Sequence, residues 1–215
     1  MGKPPSPTRE RVLDAALVLL NALGAERATT RLIAEAAGIN EGNLYYHFRT
    51  KEAVFLALLA RFETEALALL PPALPGGDRL APYAALISGW FALTRRFLFL
   101  FRDAAFLQQA APALRPRLRR LSARLLERLR AVLAAMEAAG LIAVPEALRE
   151  SLLANLAIVS GHWASFLALQ RGVRRLTPAH LAWAEGQLRA LYAPYLTFRA
   201  RAQLAATGQP AGLAP

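Results

Sequence analysis

Tyr45, Tyr46, His47 and Lys51 follow closely on Asn40, Glu41, Gly42 and Asn43, a cluster rich in hydrogen-bonding side chains. Phenol hydroxyls, an imidazole and an ammonium group suit phosphate oxygens, while carboxamides and carboxylates suit the edges of nucleobases. Asn43 could serve either. Glu41 could accept from cytosine N4, or be splayed away from phosphate. No rival chemistry is marked elsewhere. The chain has no cysteine, which excludes disulfides, thiolate metal sites and thiol nucleophiles. Its three histidines, His47, His162 and His180, form no pair with metal-ligand spacing. No nucleophile, base and acid are set out together, so neither an enzyme nor a bound metal or cofactor is expected.

Side chains of this kind recognise nothing unless a rigid element aims them. The segment Thr29–Lys51 reads TTRLIAEAAGINEGNLYYHFRTK. Two short helices flank Gly38-Ile39-Asn40, a tight glycine-containing turn, and that is a helix-turn-helix pattern. Ile33, Ala37, Ile39, Leu44 and Phe48 can pack the pair together, and Ala34, Ala36 and Ala37 are small enough for close approach. That packing turns Glu41, Gly42, Asn43, Tyr45, Tyr46 and His47 outward. An exposed Tyr-Tyr-His cluster is unfavourable unless it contacts something. Tyr46 has packing on the first helix as its alternative. The spacing predicts that the Asn40–Phe48 helix enters a DNA major groove; the alternative is a helical interaction protein that keeps the helix-turn-helix only as structure, without DNA readout. Thr29, Thr30 and Arg31 lie at the start of the preceding helix, and Lys51 opens the next, where free backbone N–H groups favour phosphate.

Apolar residues recur at helical spacing nearly everywhere, and no stretch alternates with period two, so the fold class is all-α. The first helix follows Ser6-Pro7, buries Val12, Leu13, Ala16, Leu17, Leu20 and Leu23, and ends at Gly24 as a left-handed cap. Thr50 caps a fourth helix with Val54, Phe55, Leu58, Leu59 and Phe62 facing in, before Pro71-Pro72 and Pro75-Gly76-Gly77 interrupt the chain. Further helices are expected over 79–102, 104–110, 114–139, 145–170 and 178–205. The expected organisation is a helix-turn-helix domain over 1–51, a connecting helix over 52–70, a helical regulatory and dimerisation domain over 71–205, and a disordered tail over 206–215.

The net charge is +11, but residues 1–50 hold six basic and five acidic side chains, so the case for DNA rests on motif geometry. The basic residues are 24 Arg and 2 Lys amid abundant Ala, Leu and Pro, a bias that lowers the weight of any Arg count. Ser151–Gln170 has no charged residue and could span a bilayer by length. Asn155, Ser160, His162, Ser165 and Gln170 interrupt it, and its large residues share one face, so it reads as a buried helix of a bundle. The N-terminus carries no apolar stretch behind its charges and is not a signal peptide, which makes a cytoplasmic protein the expectation.

The helix ending at Gly24, then TTRLIAEAAGI, GNLYYHF and TKEAVF, resemble the tetracycline-repressor (TetR) family strongly over residues 8–60. WFALTRRFLFLFRD, Leu-Arg-Pro-Arg-Leu and GHWASF extend a weaker resemblance. It implies a homodimeric, usually repressing regulator that binds a pseudo-palindromic operator through its helix-turn-helix and a small effector through its helical domain. Arg31 stands where the family contacts a base; a solvated arginine is the alternative. Asn40 and Asn43 replace the Ser and Thr common in the family and keep capping or hydrogen-bonding ability. Leu32 replaces an acidic residue, leaving the capping box incomplete. Glu41 is unusual for a groove-facing position.

Two expectations concern the second domain. Leu152, Leu156, Val159, Trp163 and Phe166 form one apolar stripe, and Leu181, Leu188, Leu191, Tyr192 and Tyr195 another. Leu152, Leu156, Val159, Trp163, Leu188 and Tyr192 are the expected dimer contacts. Trp90, Phe91, Thr94, Phe97, Phe101, Phe106, Leu125, His162 and Phe166 are the candidate pocket lining, with plain core as the alternative for the aromatics and core or interface for His162 and Trp163. Arg117, Arg120, Arg124 and Arg128 form a positive stripe on one helix. Either it is solvated, or it meets an effector with an apolar body and an anionic end, such as a fatty acid or acyl-coenzyme A.

Overall fold

The computed structural model describes residues 6–71, 79–173 and 175–206. The expected helix breaks at Pro72 and Pro75-Gly76-Gly77, and positions 207–215 of the expected tail, lie outside these residues. By compactness the chain divides into two units. Unit one comprises the described residues of Met1–Glu65 with Arg96–Arg120, and unit two those of Ala66–Arg95 with Leu121–Pro215.

Unit one begins with α1 (Pro7–Leu23), where the Ser6 hydroxyl accepts from the Arg9 N–H and Pro7 occupies the first turn. Its buried face is Val12, Leu13, Ala16, Leu17 and Leu20, as the periodicity predicts, while Leu23, expected there too, is half-buried. Gly24 ends it with φ 92° and ψ 154°, a positive-φ but extended conformation in place of the left-handed helical cap expected. Short helices α2 (Thr30–Ala36) and α3 (Glu41–His47) follow, then the long α4 (Lys51–Leu69). Val54, Phe55, Leu58, Leu59 and Phe62 of α4 are buried, with Phe55 against Phe99, and Phe62 edge-on to Phe97 and Phe101.

The helix expected over 79–102 is two helices, α5 (Ala81–Arg96) and α6 (Leu98–Arg102), parted at Phe97 with φ −107° and ψ 36°. The Asn21 side chain accounts for the break. Its Nδ2 donates to the Arg96 carbonyl at 2.7 Å, and its Oδ1 accepts from the Phe99 N–H at 3.0 Å. Backbone groups that an unbroken helix would pair internally are taken by a residue of α1. Next come α7 (Ala104–Ala110) and α8 (Leu114–Ala138).

In unit two a 3₁₀ turn at Glu146–Leu148 leads into α9 (Arg149–Arg171), followed by α10 (Pro178–Tyr192) and α11 (Phe198–Ala206). The helix expected over 178–205 breaks after Tyr192. Pro194 lacks the N–H that a continuing helix needs, and Leu196 instead forms an antiparallel bridge with Ile142. The Ala143 N–H donates to the Tyr195 carbonyl and the Thr197 N–H to the Leu141 carbonyl. No named strand occurs among the described residues. By length and composition Glu146–Arg171 could cross a membrane, with mean hydropathy 1.6. Its Leu152, Leu153, Leu156, Trp163, Ala164 and Leu167 are buried within the chain, Trp163 edge-on to Phe91 of α5.

Candidate nucleic-acid interface

The turn between α2 and α3 is built on one glycine. Gly38 has φ 65°, a conformation that side chains disfavour, and its N–H donates to the Glu35 carbonyl while the Ile39 N–H returns to Ala34. Asn40 then starts α3, its Oδ1 accepting from the Asn43 N–H at 2.7 Å. Thr29 caps α2 through the Leu32 N–H, and with Leu at that position no side chain returns the bond. Ile33, Ala34, Ala37, Leu44 and Phe48 are buried, and Ile39 is half-buried.

That packing leaves one buried residue on α3, Leu44, and turns the others outward. Gly42 and Asn43 are exposed; Tyr45 is 45% and Tyr46 83% exposed. Tyr46 therefore does not pack on α1; its ring stands edge-on to the half-buried His47 at 5.1 Å. Arg31 is exposed, with only a loose ion pair to Glu35 at 3.9 Å. Thr29 and Asn40 are exposed as well, while Thr30 and Glu41 are half-buried and bonded to each other at 2.7 Å. Lys51 is half-buried, donates to the Glu26 carbonyl at 3.1 Å and lies over the Phe55 ring. Burial lowers its pKa, and the Glu26 carboxylate partly offsets that.

Two polar clusters within unit one escaped the sequence reading. Arg61 of α4 reaches Glu10 and Asp14 of α1; burial opposes its charge, but hydrogen bonds to Asp14 and Glu10 outweigh it and raise its pKa. At the other end of α1, Arg102 donates to the carbonyls of Leu20 and Asn21 at 2.8 Å each. Its neighbour Asp103 accepts from Arg102 and, at 2.7 Å, from the Ala25 N–H. With Asn21 this makes a clasp from α6 to the end of α1. Partners some eighty positions apart leave no local spacing from which to read it.

A profile described as bacterial regulatory proteins, tetR family, matches residues 12–58, and one described as bacterial transcriptional repressor, TetR, matches residues 61–204. The chain belongs to the TetR family. It is 32% identical over 119 residues to the tetracycline repressor protein class C of Escherichia coli, covering 54% of this chain and 51% of that protein. The chain spans about half, or less, of the length of the curated relatives it matches. A TetR-family transcriptional regulator from Marinobacter aquaeolei VT8 has a similar crystal structure, with TM-score 0.83, 28% identity, and coverage of 95% of this chain and 100% of that one. SmeT, repressor of the Stenotrophomonas maltophilia multidrug efflux pump SmeDEF, shares the fold with TM-score 0.60 and 20% identity, over 88% of this chain and 91% of that one.

The second half of this TetR-family chain departs from the sequence expectations in detail. Of the candidate pocket residues, Phe97, Phe101 and Phe106 belong to unit one, and Trp90, Phe91, Thr94, Leu125, His162 and Phe166 to unit two, so neither unit holds the whole set. Phe91, Thr94 and Phe97 are fully enclosed, whereas His162 is exposed with Nδ1 at 3.1 Å from the Ile158 carbonyl. The expected dimer contacts are distributed unevenly. Leu152, Leu156, Trp163 and Leu188 are already buried within the chain, and Val159 and Tyr192 are half-buried. The exposed apolar side of α9 is instead Ile158, Phe166 and Leu169, at 56%, 45% and 82%. Phe166 stacks on Trp183 of α10, with Arg171 over the same indole. Of the arginine stripe, Arg117 is taken up by Glu63 at 3.1 Å, while Arg128 has a buried Nη1 without a hydrogen-bond partner, as does the Trp163 indole N–H.

Proposed function

We propose that this chain is a homodimeric, sequence-specific DNA-binding regulator of the cytoplasm, most simply a repressor released from a pseudo-palindromic operator by a small effector. The observation that carries the reading is α3, a short helix anchored by Leu44 with a polar and aromatic surface directed outward. A module without a polyanionic partner has no reason to expose Tyr45 and Tyr46 beside His47 and Lys51. In this reading Arg31 and Asn43 meet base edges in the major groove. Tyr45, Tyr46, His47 and Lys51 meet phosphates, with Thr29, Thr30, Asn40, Glu41 and Gly42 completing the surface.

Dimerisation has its support in Ile158, Phe166 and Leu169, apolar side chains that the chain leaves exposed on one helix. For the effector, Arg128 Nη1 and Trp163 Nε1 are buried donors with nothing to donate to, which favours a ligand bearing an acceptor or anionic group beside an apolar body. SmeT, of the same fold, has been solved in complex with triclosan.

The test is a duplex selected by the wild-type protein from a random pool, titrated at fixed salt. The double variant Tyr45→Ala, Lys51→Ala should lose about tenfold or more on the selected duplex and show a shallower salt dependence. Arg31→Ala should cost about 1–3 kcal/mol on the selected duplex and relax preference at one position per half-site. Undiminished affinity in the double variant at physiological salt refutes the reading.

A further inference from the structure

Glu41 places an anion on the very surface assigned above to DNA, and the inference drawn from it rests on that assignment. Its Oε1 accepts from Thr30 Oγ1 at 2.7 Å and from Tyr45 Oη at 3.4 Å, and the two hydroxyls lie 3.3 Å apart. A hydroxyl has a single proton to give. The Thr30 proton goes to the carboxylate. Whichever way the Tyr45 proton points, to Glu41 or to Thr30, it stays inside the triangle. Toward anything outside, both hydroxyls are then acceptors, and so is a phosphate oxygen.

Phosphate contact by Thr30 or Tyr45 therefore requires that they turn away from Glu41. That strips the carboxylate of its donors beside a polyanion, and no phosphate can replace them. An exocyclic amino group on a base edge can. Cytosine N4 and adenine N6 both present such donors in the major groove, and carboxylates pair well with the first. We propose that Glu41 is a specificity-determining residue that makes the phosphate contacts of Thr30 and Tyr45 conditional on an amino-bearing base. On unrelated sequence the carboxylate keeps both hydroxyls and repels the backbone. On the operator it exchanges them for the base, and they are released to the phosphates.

The experiment selects duplexes from a random pool with the wild-type protein and with Glu41→Gln in parallel, then titrates each protein against a selected and a scrambled duplex. The wild type should fix cytosine or adenine at one position, on the same strand, in each half-site, and exclude guanine and thymine there. The Gln variant should lose that preference there alone, bind scrambled duplex more tightly, and show a selected-to-scrambled ratio lower by about fivefold or more. The same base preference in both pools overturns the proposal, as does a wild-type pool in which no position has cytosine or adenine fixed on one defined strand to the exclusion of guanine and thymine. If the Gln variant fails to fold, Thr30→Val with Tyr45→Phe asks the question differently. Affinity should fall on the selected duplex with the preferred base unchanged, and a changed base overturns the proposal. A wild-type protein that enriches no sequence refutes DNA binding itself, a result separate from a failure at Glu41.

Discussion

Half-buried on α10, the Tyr192 phenol has its pKa pushed up to about 12, because burial disfavours the phenolate more than the nearby Arg189 favours it. In the unfolded chain the same group ionises near 10.0. The stabilising effect of the neutral phenol is therefore fully present below pH 10, and it is lost as pH rises from about 10 to about 12. The whole effect amounts to roughly 2–3 kcal/mol. Tyr192→Phe removes the ionisable group, so its denaturation midpoint should decline less steeply than the wild type's over that window. Parallel alkaline slopes for the two proteins would show that Tyr192 titrates in the folded state as it does in water. The contrast with Lys51 is instructive, since burial there lowers the pKa of a cation, with the Glu26 carboxylate opposing the shift. Burial thus favours the neutral form of both residues, raising the pKa of the acid and lowering that of the base.

At the scale of elements, the α1 terminus depends on side chains that arrive from α6. Asp103 accepts from the buried Ala25 N–H and from both Nε and Nη2 of Arg102, which in turn holds the last carbonyls of α1. Asp103→Ala should lower stability by about 1–3 kcal/mol, because it leaves a buried donor without a partner. Asp103→Asn, which keeps one acceptor oxygen, should lose less. Equal midpoints for all three proteins in urea would show that the clasp contributes nothing. This cluster also marks where the sequence stops being readable. α1, α2 and α3 were legible because each carries its own cap and its own apolar face, and Gly38 announces its turn. The breaks at Phe97 and after Tyr192 were not, because a polar side chain of α1 causes one and a bridge to Ile142 fixes the other. Local spacing does not record the first, whereas Pro194 is a local signal from which the second could have been read. Of the apolar stripe read on α9, Leu152, Leu156 and Trp163 are buried within the chain and Phe166 is exposed, and periodicity cannot say whether a stripe faces its own chain or a second copy.

For the whole molecule, a two-fold dimer would cover the exposed apolar side of α9. Phe166→Glu with Leu169→Glu introduces two like charges at the proposed contact without touching the buried Leu152, Leu156 or Trp163. Sedimentation should give a dimer for the wild type at micromolar concentration and a monomer for the variant, with operator affinity falling in step. A dimer that survives both substitutions places the contact elsewhere, and a monomeric wild type removes the premise. Trp90, Trp163 and Trp183 all lie in unit two, and unit one has no indole. Light absorbed by indole alone is thus emitted from unit two alone, and its spectrum is silent about α2 and α3. Trp163, shielded from solvent against Phe91, should emit to the blue, while Trp183, lying between Phe166 and Arg171, stands where a covering partner would alter its quantum yield. A native fluorimeter channel for the half of the protein that does not read DNA is therefore built into its amino-acid composition.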